Sequence, residues 1–468
     1  MKEETRIEAS ALKAILPGLA RVVGRKQTLP VLGCVHVRQA GDHVQLAVSD
    51  GEHHVSVLAA GACGPPLCVP LEDLRQAVKA SKGKGSIRLQ VVDGKVAIGY
   101  EAAGQQLSIR AGSEPVEEFP ALPRQKTVEC PLDEARKESL LHAMACASSD
   151  ETRYILNGAF LDPSEPGHHA VVGTDGRHLY AANTLELPVD KGVILPSHGL
   201  WTWPGLRKAG DWTLMLPEKT GGMAGLKAGG WTWWMPTVDG NYPDYRQVMP
   251  DEAKFKARIC MPGESLPEVL EMVDSLPRSE DSAAVGLDVT ENGKLDLLAR
   301  SAPDGPWTPV PVGAQVEGPP VRVFLDRKYL RKALAFGLGE LALASDIDPV
   351  LFTAPGRKLV VMPMRIGDAE VREGNPRKQS ETHNERKEMP MDTNNGQSNG
   401  SKPPVQELPA LEAALMQAQR LREQLKELAG DAGNLVTLLR NAERERKAGE
   451  REIRSARSTL ERLKAVEI

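Results

Sequence analysis

The feature that most constrains the fold of this chain of 468 residues is an internal repeat. A first amphipathic helix pattern begins at three places, near Glu8, Leu132 and Gly263. A second helix pattern follows a short extended apolar segment each time and begins near Leu71, Ser197 and Asp326. Both patterns recur about every 125–130 residues, which is an ordinary length for one domain. The sequence therefore predicts three similar domains with two helices each, the third ending near Ile366.

Between the helix patterns, apolar and polar side chains alternate as they do in half-buried strands. Examples are the segments His43–Val48, Ser86–Val91 and Lys294–Ala299. Turn dipeptides such as Asp93-Gly94 and Asn292-Gly293 separate the strand patterns. Strands joined by tight hairpins form antiparallel sheets, so we predict an α+β fold rather than a parallel α/β fold.

The repeat and the changes in composition divide the chain into five segments. We predict repeated domains at residues 1–122, 123–250 and 251–366, a linker at 367–405 and a helical extension at 406–468. The linker is rich in charged residues, Asn, Ser and Pro and has almost no aliphatic side chains. Because it cannot bury enough apolar surface to fold, we expect it to be disordered.

The helical extension carries apolar residues on a heptad repeat, from Leu411 through Leu425 and Leu439 to Leu463. The positions between them are heavily charged, which is typical of a coiled coil. A helical hairpin that turns at residues 429–434 fits the same pattern, since glycines lie there. In either arrangement the apolar seam would pair with itself or with an unknown partner.

The composition excludes several classes of protein. Hydrophobic residues make up 41% of the chain and charged residues 26%, and no apolar run is long enough to cross a membrane. The first residues, Met1–Glu4, carry charge and do not begin a secretory signal. We therefore expect a cytoplasmic protein with no membrane partner.

No pattern in the sequence indicates a catalytic or metal site. The six cysteines are scattered without a Cys-x-x-Cys pair, so we expect reduced core residues. The segment Lys82–Gly85 lacks the leading glycine of a phosphate-binding loop, and the pairs His53-His54 and His168-His169 have no further metal ligands at suitable spacing. We predict no metal, no cofactor and no enzymatic activity.

Four short motifs point to a known family. They are Thr28–Gly33, Thr174-Asp175-Gly176, Asn241–Arg246 and Met362–Arg365. In this order and spacing they resemble the signatures of the bacterial DNA polymerase III beta sliding clamp, over residues 1–366. The resemblance implies three-domain subunits that dimerise head to tail into a ring around double-stranded DNA. The chain continues for about a hundred residues beyond the point where that family ends.

The resemblance also implies a cleft in which the replicative polymerase, the clamp loader and repair proteins dock through linear peptides. The matching residues are Arg153, Leu156, Thr174, Gly176, Arg177, His178, Leu179, Pro243, Gln247, Val248, Val360, Met362, Pro363 and Met364. The order Arg177-His178 and the residue Gln247 depart from the family pattern. We therefore expect a change in the rim contacts and in the preferred peptide.

In this family helices line the hole of the ring. The basic residues that the resemblance places toward DNA are Arg25, Lys26, Arg75, Lys79, Arg207, Lys208, Arg327, Lys328, Arg331 and Lys332. Ordinary solvated helix faces explain the same residues equally well. A net charge of −5 means that any DNA contact comes from a local basic surface. The helix near Gly263 carries Glu264, Glu268, Glu271 and Asp274, so its place in the wall stays open.

Ring closure by resemblance uses Leu107 and Ile109 on an edge strand, with Leu276 opposite. The alternative is that all three pack inside their own domains. Tryptophans lie in the segment Trp231–Trp234 and at Trp201 and Trp203. The alternation of Trp231 and Trp233 is typical of one face of a strand, so we expect core packing rather than base stacking.

A second hypothesis is a clamp-derived interaction scaffold that assembles through the extension and no longer encircles DNA. The acidic helix near Gly263 and the altered rim motivate it. A further hypothesis is that the segment Gln406–Leu411 folds back into the cleft, because it loosely resembles clamp-binding peptides.

Overall fold

A computed structural model describes residues 4–24, 29–123, 125–219, 221–277, 283–302 and 305–366. The predictions for the linker 367–405, for the extension 406–468 and for Arg25 and Lys26 lie outside the described residues. The predicted domain boundaries remain predictions. Within the described residues the helices and strands fall into three groups.

The first group has two helices, α1 (Ala9–Leu19) and α2 (Leu71–Ala80). Its eight strands are β1 (Thr5–Glu8), β2 (Cys34–Ala40), β3 (His43–Ser49), β4 (His54–Ala62), β5 (Leu67–Pro70), β6 (Ser86–Val92), β7 (Lys95–Ala102) and β8 (Gln105–Ala111).

The second group repeats this succession with α3 (Glu134–Cys146) and α4 (Pro204–Arg207). Its strands are β9 (Thr127–Leu132), β10 (Gly158–Asp162), β11 (Ala170–Thr174), β12 (His178–Ala182), β13 (Val193–Pro196), β14 (Trp212–Pro217), β15 (Met223–Ala228) and β16 (Trp231–Pro236).

The third group has α5 (Leu266–Ser275) and α6 (Arg327–Ala335). Its strands are β17 (Ala257–Cys260), β18 (Ala284–Val289), β19 (Leu295–Ala299), β20 (Thr308–Val312), β21 (Gln315–Glu317), β22 (Val321–Asp326), β23 (Glu340–Leu343), β24 (Val350–Ala354) and β25 (Arg357–Val361). Apart from the short β21, which pairs with β17, the succession is the same as in the other two groups.

Each group contains two four-stranded antiparallel sets. In the first group they are β5-β2-β3-β4 and β1-β6-β7-β8, and a short pairing of β1 with β4 joins them. The same orders recur as β13-β10-β11-β12 with β9-β14-β15-β16, and as β22-β18-β19-β20 with β17-β23-β24-β25. The α+β prediction is confirmed.

Two further strand pairings connect the groups. Strand β4 of the first group pairs antiparallel with β16 of the second, with Val57 opposite Trp231. Strand β12 of the second group pairs antiparallel with β25 of the third, with Leu179 opposite Val360. Each junction therefore joins the fourth strand of one group to the last strand of the next.

Local sequence chemistry explains the hairpins and the core. Asp93 and Gly94, between β6 and β7, both have positive φ (50° and 70°), as a two-residue hairpin turn that follows the twist of the strands requires.

The predicted tryptophan packing is confirmed. The rings of Trp201 and Trp233 lie 4.7 Å apart, and both side chains are buried.

Helix α4 is much shorter than the pattern from Ser197 predicts. The backbone of Trp203 is extended (φ −77°, ψ 121°), because a residue before proline is disfavoured in the helical region. The indole N–H of Trp201 donates to the carbonyl of Pro196 at 2.9 Å. The segment before Pro204 therefore fills the core with aromatic rings rather than forming helical turns.

Candidate partner-binding site

A cleft of about 200 Å³ opens where β12 meets β25. Its lining combines residues of the second and third groups. They are Leu156, Thr174, Gly176, Arg177, His178, Leu179, Tyr242, Pro243, Asp244, Tyr245, Val248, Val360 and Met362.

The floor of the cleft is apolar because the paired residues Leu179 and Val360 belong to a buried cluster that also includes Tyr245 and Leu351. At the mouth, Val248 and Met362 are 52% and 46% exposed. A solvated opening above an apolar floor suits a ligand that inserts one or two apolar side chains.

One wall of the cleft is the segment Tyr242–Val248, which side-chain hydrogen bonds hold in place. The hydroxyl of Tyr245 donates to Asp162 Oδ2 at 2.9 Å, and Arg246 Nη2 donates to the same oxygen at 2.8 Å. Burial alone would raise the pKa of Asp162, but hydrogen bonds from Ser164 and Tyr245 and the charge of Arg246 hold it below its usual value. The wall is therefore tied to the end of β10 by an ionised carboxylate.

The opposite wall is the turn Asp175-Gly176-Arg177. Gly176 has φ +87°, and a Cβ there would lie 2.9 Å from Arg153 Nη1, so both backbone and space favour glycine. Asp175 Oδ1 accepts the backbone N–H groups of Arg177 and His178 at 2.8 and 3.0 Å. The carbonyl of Arg177 accepts the N–H of Met362 at 2.9 Å, so the turn also positions the chain after β25.

His178 follows this turn and points into the protein rather than to the rim. Its side chain is only 2% exposed and stacks on Tyr329 of α6 with ring centroids 4.3 Å apart. His178 Nδ1 lies 2.7 Å from Asp175 Oδ1, and Tyr329 donates to Asp175 Oδ2 at 2.8 Å. Burial is the main cause that lowers the pKa of His178, and the charge of nearby Lys332 lowers it further, whereas Asp175 acts to raise it. The imidazole is therefore neutral at pH 7 and links the cleft to α6.

Four predicted cleft residues do not line the cavity. Arg153 lies at its edge, with Nη1 3.4 Å from the carbonyl of Asp175, and Gln247 donates to Asp244 Oδ2 at 3.2 Å. Pro363 follows Met362 without reaching the lining. The prediction for Met364 is wrong, because its N–H donates to the carbonyl of Phe324 at 2.7 Å and its side chain packs on the cluster of Trp307 and Phe324.

Three lining residues, Tyr242, Asp244 and Tyr245, were not predicted as cleft residues. The motif Asn241–Arg246 contained the signal, since all three belong to it. The resemblance places only Pro243 of that motif in the cleft and does not show which of the other side chains face it.

Most of the predicted basic residues are exposed on helices or at their ends. These are Arg75, Lys79, Arg207, Lys208, Lys328 and Arg331. Arg75 pairs with Glu72 at 3.0 Å, and Arg331 pairs with Asp274 of α5 at 2.7 Å. Lys332 is half-buried and donates from Nζ to the carbonyl of Ala145 at 2.6 Å.

The prediction that Arg327 faces DNA is wrong. Its side chain is buried, and its guanidinium donates to the carbonyls of Leu276, at 2.8 Å, and Pro277. These carbonyls lie just after the end of α5, where the partial negative charge of a helix terminus favours a cation. Arg327 therefore joins α6 to α5.

The predicted ring-closure residues lie in different environments. Leu107 is 42% exposed on β8, an edge strand, whereas Ile109 of the same strand is partly buried against the core. Leu276 is buried in the third group, which favours the alternative that it packs inside its own domain. Only Leu107 offers a large apolar surface to solvent at this edge.

Two absences hold for the described ranges. No group of three or more His, Cys, Asp or Glu side chains there could hold a metal ion. Among the helices that the structure describes, none is long and apolar enough to span a membrane.

Three matching groups of strands and helices, joined through shared sheets with an apolar cleft at the second junction, define the fold class of three-domain DNA clamps. The chain is similar to the curated protein "Beta sliding clamp" of Caulobacter vibrioides, with 25% identity over 394 residues, 77% of this chain and 99% of the relative. The "Beta sliding clamp" of Pseudomonas putida is 27% identical over 257 residues, 52% of this chain and 67% of the relative. The resemblance found in the motifs is confirmed.

Solved structures show the same fold. A Pseudomonas aeruginosa DNA polymerase III subunit beta bound to griselimycin matches with a TM-score of 0.66 and 22% identity, covering 78% of this chain and 100% of that one. The Thermotoga maritima beta subunit matches with a TM-score of 0.63 and 19% identity, over the same shares. No family model matches the chain.

Proposed function

We propose that this chain is a DNA sliding clamp. Two copies close head to tail around duplex DNA and tether a replicative polymerase, and the clamp loader and repair proteins use the same cleft. The apolar cleft at the β12–β25 junction is the observation that carries the proposal, because it gives a clamp-like fold a place to hold partners. The curated relatives named beta sliding clamp support it.

Encirclement requires no base recognition, since a closed ring is retained by topology. The wall needs only a moderate positive potential, because tight phosphate contacts would oppose sliding. The exposed Arg75, Lys79, Arg207, Lys208, Lys328 and Arg331 supply such charges on a chain of net charge −5. The protein thus contributes positioning rather than chemistry, and we propose a non-catalytic role in the cytoplasm, at the nucleoid.

The cleft accepts a linear peptide with one or two apolar anchors above Leu179 and Val360. Met362 at the mouth is unbranched and polarizable, so it adapts to anchors of different shape. Arg177 is exposed at the rim, while His178 is turned inward. An acidic or polar peptide residue beside the anchor would meet Arg177.

A second candidate is the interaction scaffold without DNA encirclement. The burial of Arg327 and the engagement of Lys332 with Ala145 favour it, because they leave fewer free charges for a DNA-facing wall. In the clamp proposal the extension after residue 366 recruits a partner or pairs rings. In the scaffold proposal it drives assembly.

Primer extension tests the clamp proposal. With a compatible clamp loader and polymerase, the wild-type chain should support long products on primed single-stranded DNA. Met362→Glu places a charge at the mouth of the cleft, so product length should fall to that of the polymerase alone. Ile347→Glu is the control, because Ile347 is 61% exposed and does not line the cleft. Equal activity of both variants would contradict the role of the cleft.

A further inference from the structure

The two junctions within the chain predict a third one between chains. Strand β4 pairs with β16 and strand β12 with β25, so the fourth strand of each group meets the last strand of the next. By the same rule, the fourth strand of the third group, β20, is left to meet the last strand of the first group, β8. Both are sheet edges within the described chain. This step rests on the proposed head-to-tail ring.

Strand β20 differs from the four strands of the internal junctions because it contains Pro309 and Pro311. In its register with β19, Pro309 lies opposite Leu298 and Pro311 opposite Asp296. Antiparallel pairs alternate between hydrogen-bonded and non-hydrogen-bonded, and a proline has no N–H to donate. The pairs that contain Pro309 and Pro311 are therefore the non-hydrogen-bonded ones, and the pair between them, Leu297 with Val310, is hydrogen-bonded.

Residues of non-hydrogen-bonded pairs direct their backbone groups away from the paired strand. Pro309 and Pro311 thus present their carbonyls at the outer edge of β20, and neither offers an N–H. Both side chains are exposed. At these two positions the edge can accept hydrogen bonds but cannot donate them.

The opposite edge, β8, has donors and acceptors. Ala103 and Gly104 have φ values of 52° and 76°, a two-residue turn that makes Ala102 and Gln105 a hydrogen-bonded pair. Alternation along the strand then directs the backbone N–H and C=O groups of Gln106, Ser108 and Arg110 outward. The N–H groups match the proline carbonyls, but the β8 carbonyls facing Pro309 and Pro311 find no donor.

The internal junctions have no such defect. Strand β12 carries no proline, and neither does β25. Strand β4 has none either, and the one proline of β16, Pro236, lies outside the residues paired with β4. The loss of donors is therefore specific to the edge that would close the ring.

We infer that the ring of this protein closes through a half ladder, in which β8 donates to the carbonyls of Pro309 and Pro311 and receives no hydrogen bond at those positions. The closing junction therefore depends on side chains such as Leu107 and opens more readily than a complete ladder. The prolines also protect a free β20 edge against pairing with unrelated strands.

The test restores the donors. Full-length wild-type chain and the variant P309T/P311T are each prepared unlabelled and ¹⁵N-labelled, and subunit exchange is followed by native mass spectrometry. Two added N–H···O bonds at each junction should slow exchange about tenfold or more. P309V/P311V should slow subunit exchange to the same extent as P309T/P311T, because in both variants the restored group is the backbone N–H. Pro166→Thr, at an exposed turn, is the matched control and should exchange at the wild-type rate.

Hydrogen exchange gives a second readout. The new amides at positions 309 and 311 should be protected in the dimer and lose protection on dilution to monomer. Folded dimers of wild type and both double variants that exchange at one rate, with these amides unprotected, would overturn the half-ladder inference and leave the proposed function standing. Absence of a dimer for all proteins would overturn both.

Discussion

Lys332 Nζ lies 2.9 Å from His178 Nε2, so a helix of the third group contacts the strand that forms the floor of the cleft in the second. His178 also contacts Asp175, which accepts a hydrogen bond from Tyr329. With His178 neutral, Nδ1–H donates to Asp175 and Nε2 accepts from Lys332. The network fixes the cleft turn against α6, and the positive charge of Lys332 balances the negative charge of Asp175.

Removing the Lys332 charge should raise the pKa of His178. Burial is the first cause of its lowered pKa, and the Lys332 charge acts in the same direction. Lys332→Met removes this charge and its hydrogen bond to Nε2 but leaves the burial, so the midpoint of the His178 ring resonance in an NMR titration should move up. Lys328→Met, a weaker contributor, should shift it less. An unchanged midpoint in the Lys332 variant would contradict the contact.

Acid should destabilise the chain through His142. Burial, followed by the charges of Arg357 and Arg207, lowers its pKa to about 4. The unfolded chain then binds protons below its usual pKa of about 6.5 while the folded chain does not, so stability falls as the pH drops from about 6.5 toward 4. His142→Phe keeps a ring to stack on Phe336 and should reduce this loss by about 2–3 kcal/mol at pH 4.5.

Urea unfolding at pH 7 and pH 4.5 measures the effect of His142→Phe. His198→Phe provides a comparison, because burial and the neighbouring His53 lower the pKa of His198 to about 4 as well. Each variant should lose less stability on acidification than the wild type. Identical losses in all three proteins would show that these histidines are protonated in the folded state.

Arg327→Met should destabilise the chain by about 2–3 kcal/mol, because it leaves the buried carbonyl of Leu276 and the partly buried carbonyl of Pro277 without that charged donor. Arg331→Met, at an exposed ion pair with Asp274, should cost less than about 1 kcal/mol. The free energy of unfolding in urea distinguishes them. Equal small losses would mean that Arg327 is not a structural residue.

Charge complementarity across the closing junction gives a further prediction. Helix α1 packs on α4, and Phe336 at the end of α6 stacks on His142 of α3 at 3.8 Å. In both internal junctions the first helix of one group thus lies beside the second helix of the next, so in the proposed ring α5 of one copy would lie beside α2 of the other. Glu271→Lys should therefore weaken the dimer several-fold at low salt, since Lys79 on α2 is exposed and basic.

The reciprocal change tests the orientation of that junction. Lys79→Glu combined with Glu271→Lys should restore much of the dimer affinity measured by sedimentation, and high salt should reduce the difference between the proteins. If the double variant dimerised more weakly than both single variants, these two helices would not face each other.

Most of the fold could be predicted from the sequence. Alternating strands such as Ser86–Val92 and turns such as Asp93-Gly94 are local features, and they formed as expected. The pairing of Leu179 with Val360 was accessible only through the resemblance, because the two residues are far apart along the chain. Local pattern and family motif thus accounted for different parts of the structure.

The positions at which the structure differs from the sequence predictions depend on tertiary contacts. Arg327 and Arg331 share one helix, yet the first caps α5 while the second is exposed, and helical spacing cannot distinguish them. Met364 leaves the cleft because its N–H bonds to Phe324. In α4, buried tryptophan rings outweighed the helix pattern. In each case a partner distant in sequence decided the outcome.

Retention on DNA tests the central claim most directly. The full-length protein would be loaded onto nicked circular DNA by a compatible clamp loader, and bound protein would be measured before and after one restriction cut. Encirclement predicts stable retention on the circle and loss from the linear form, because a sliding ring leaves a free end. Equal retention on both forms, with a known clamp released in parallel, would contradict the account.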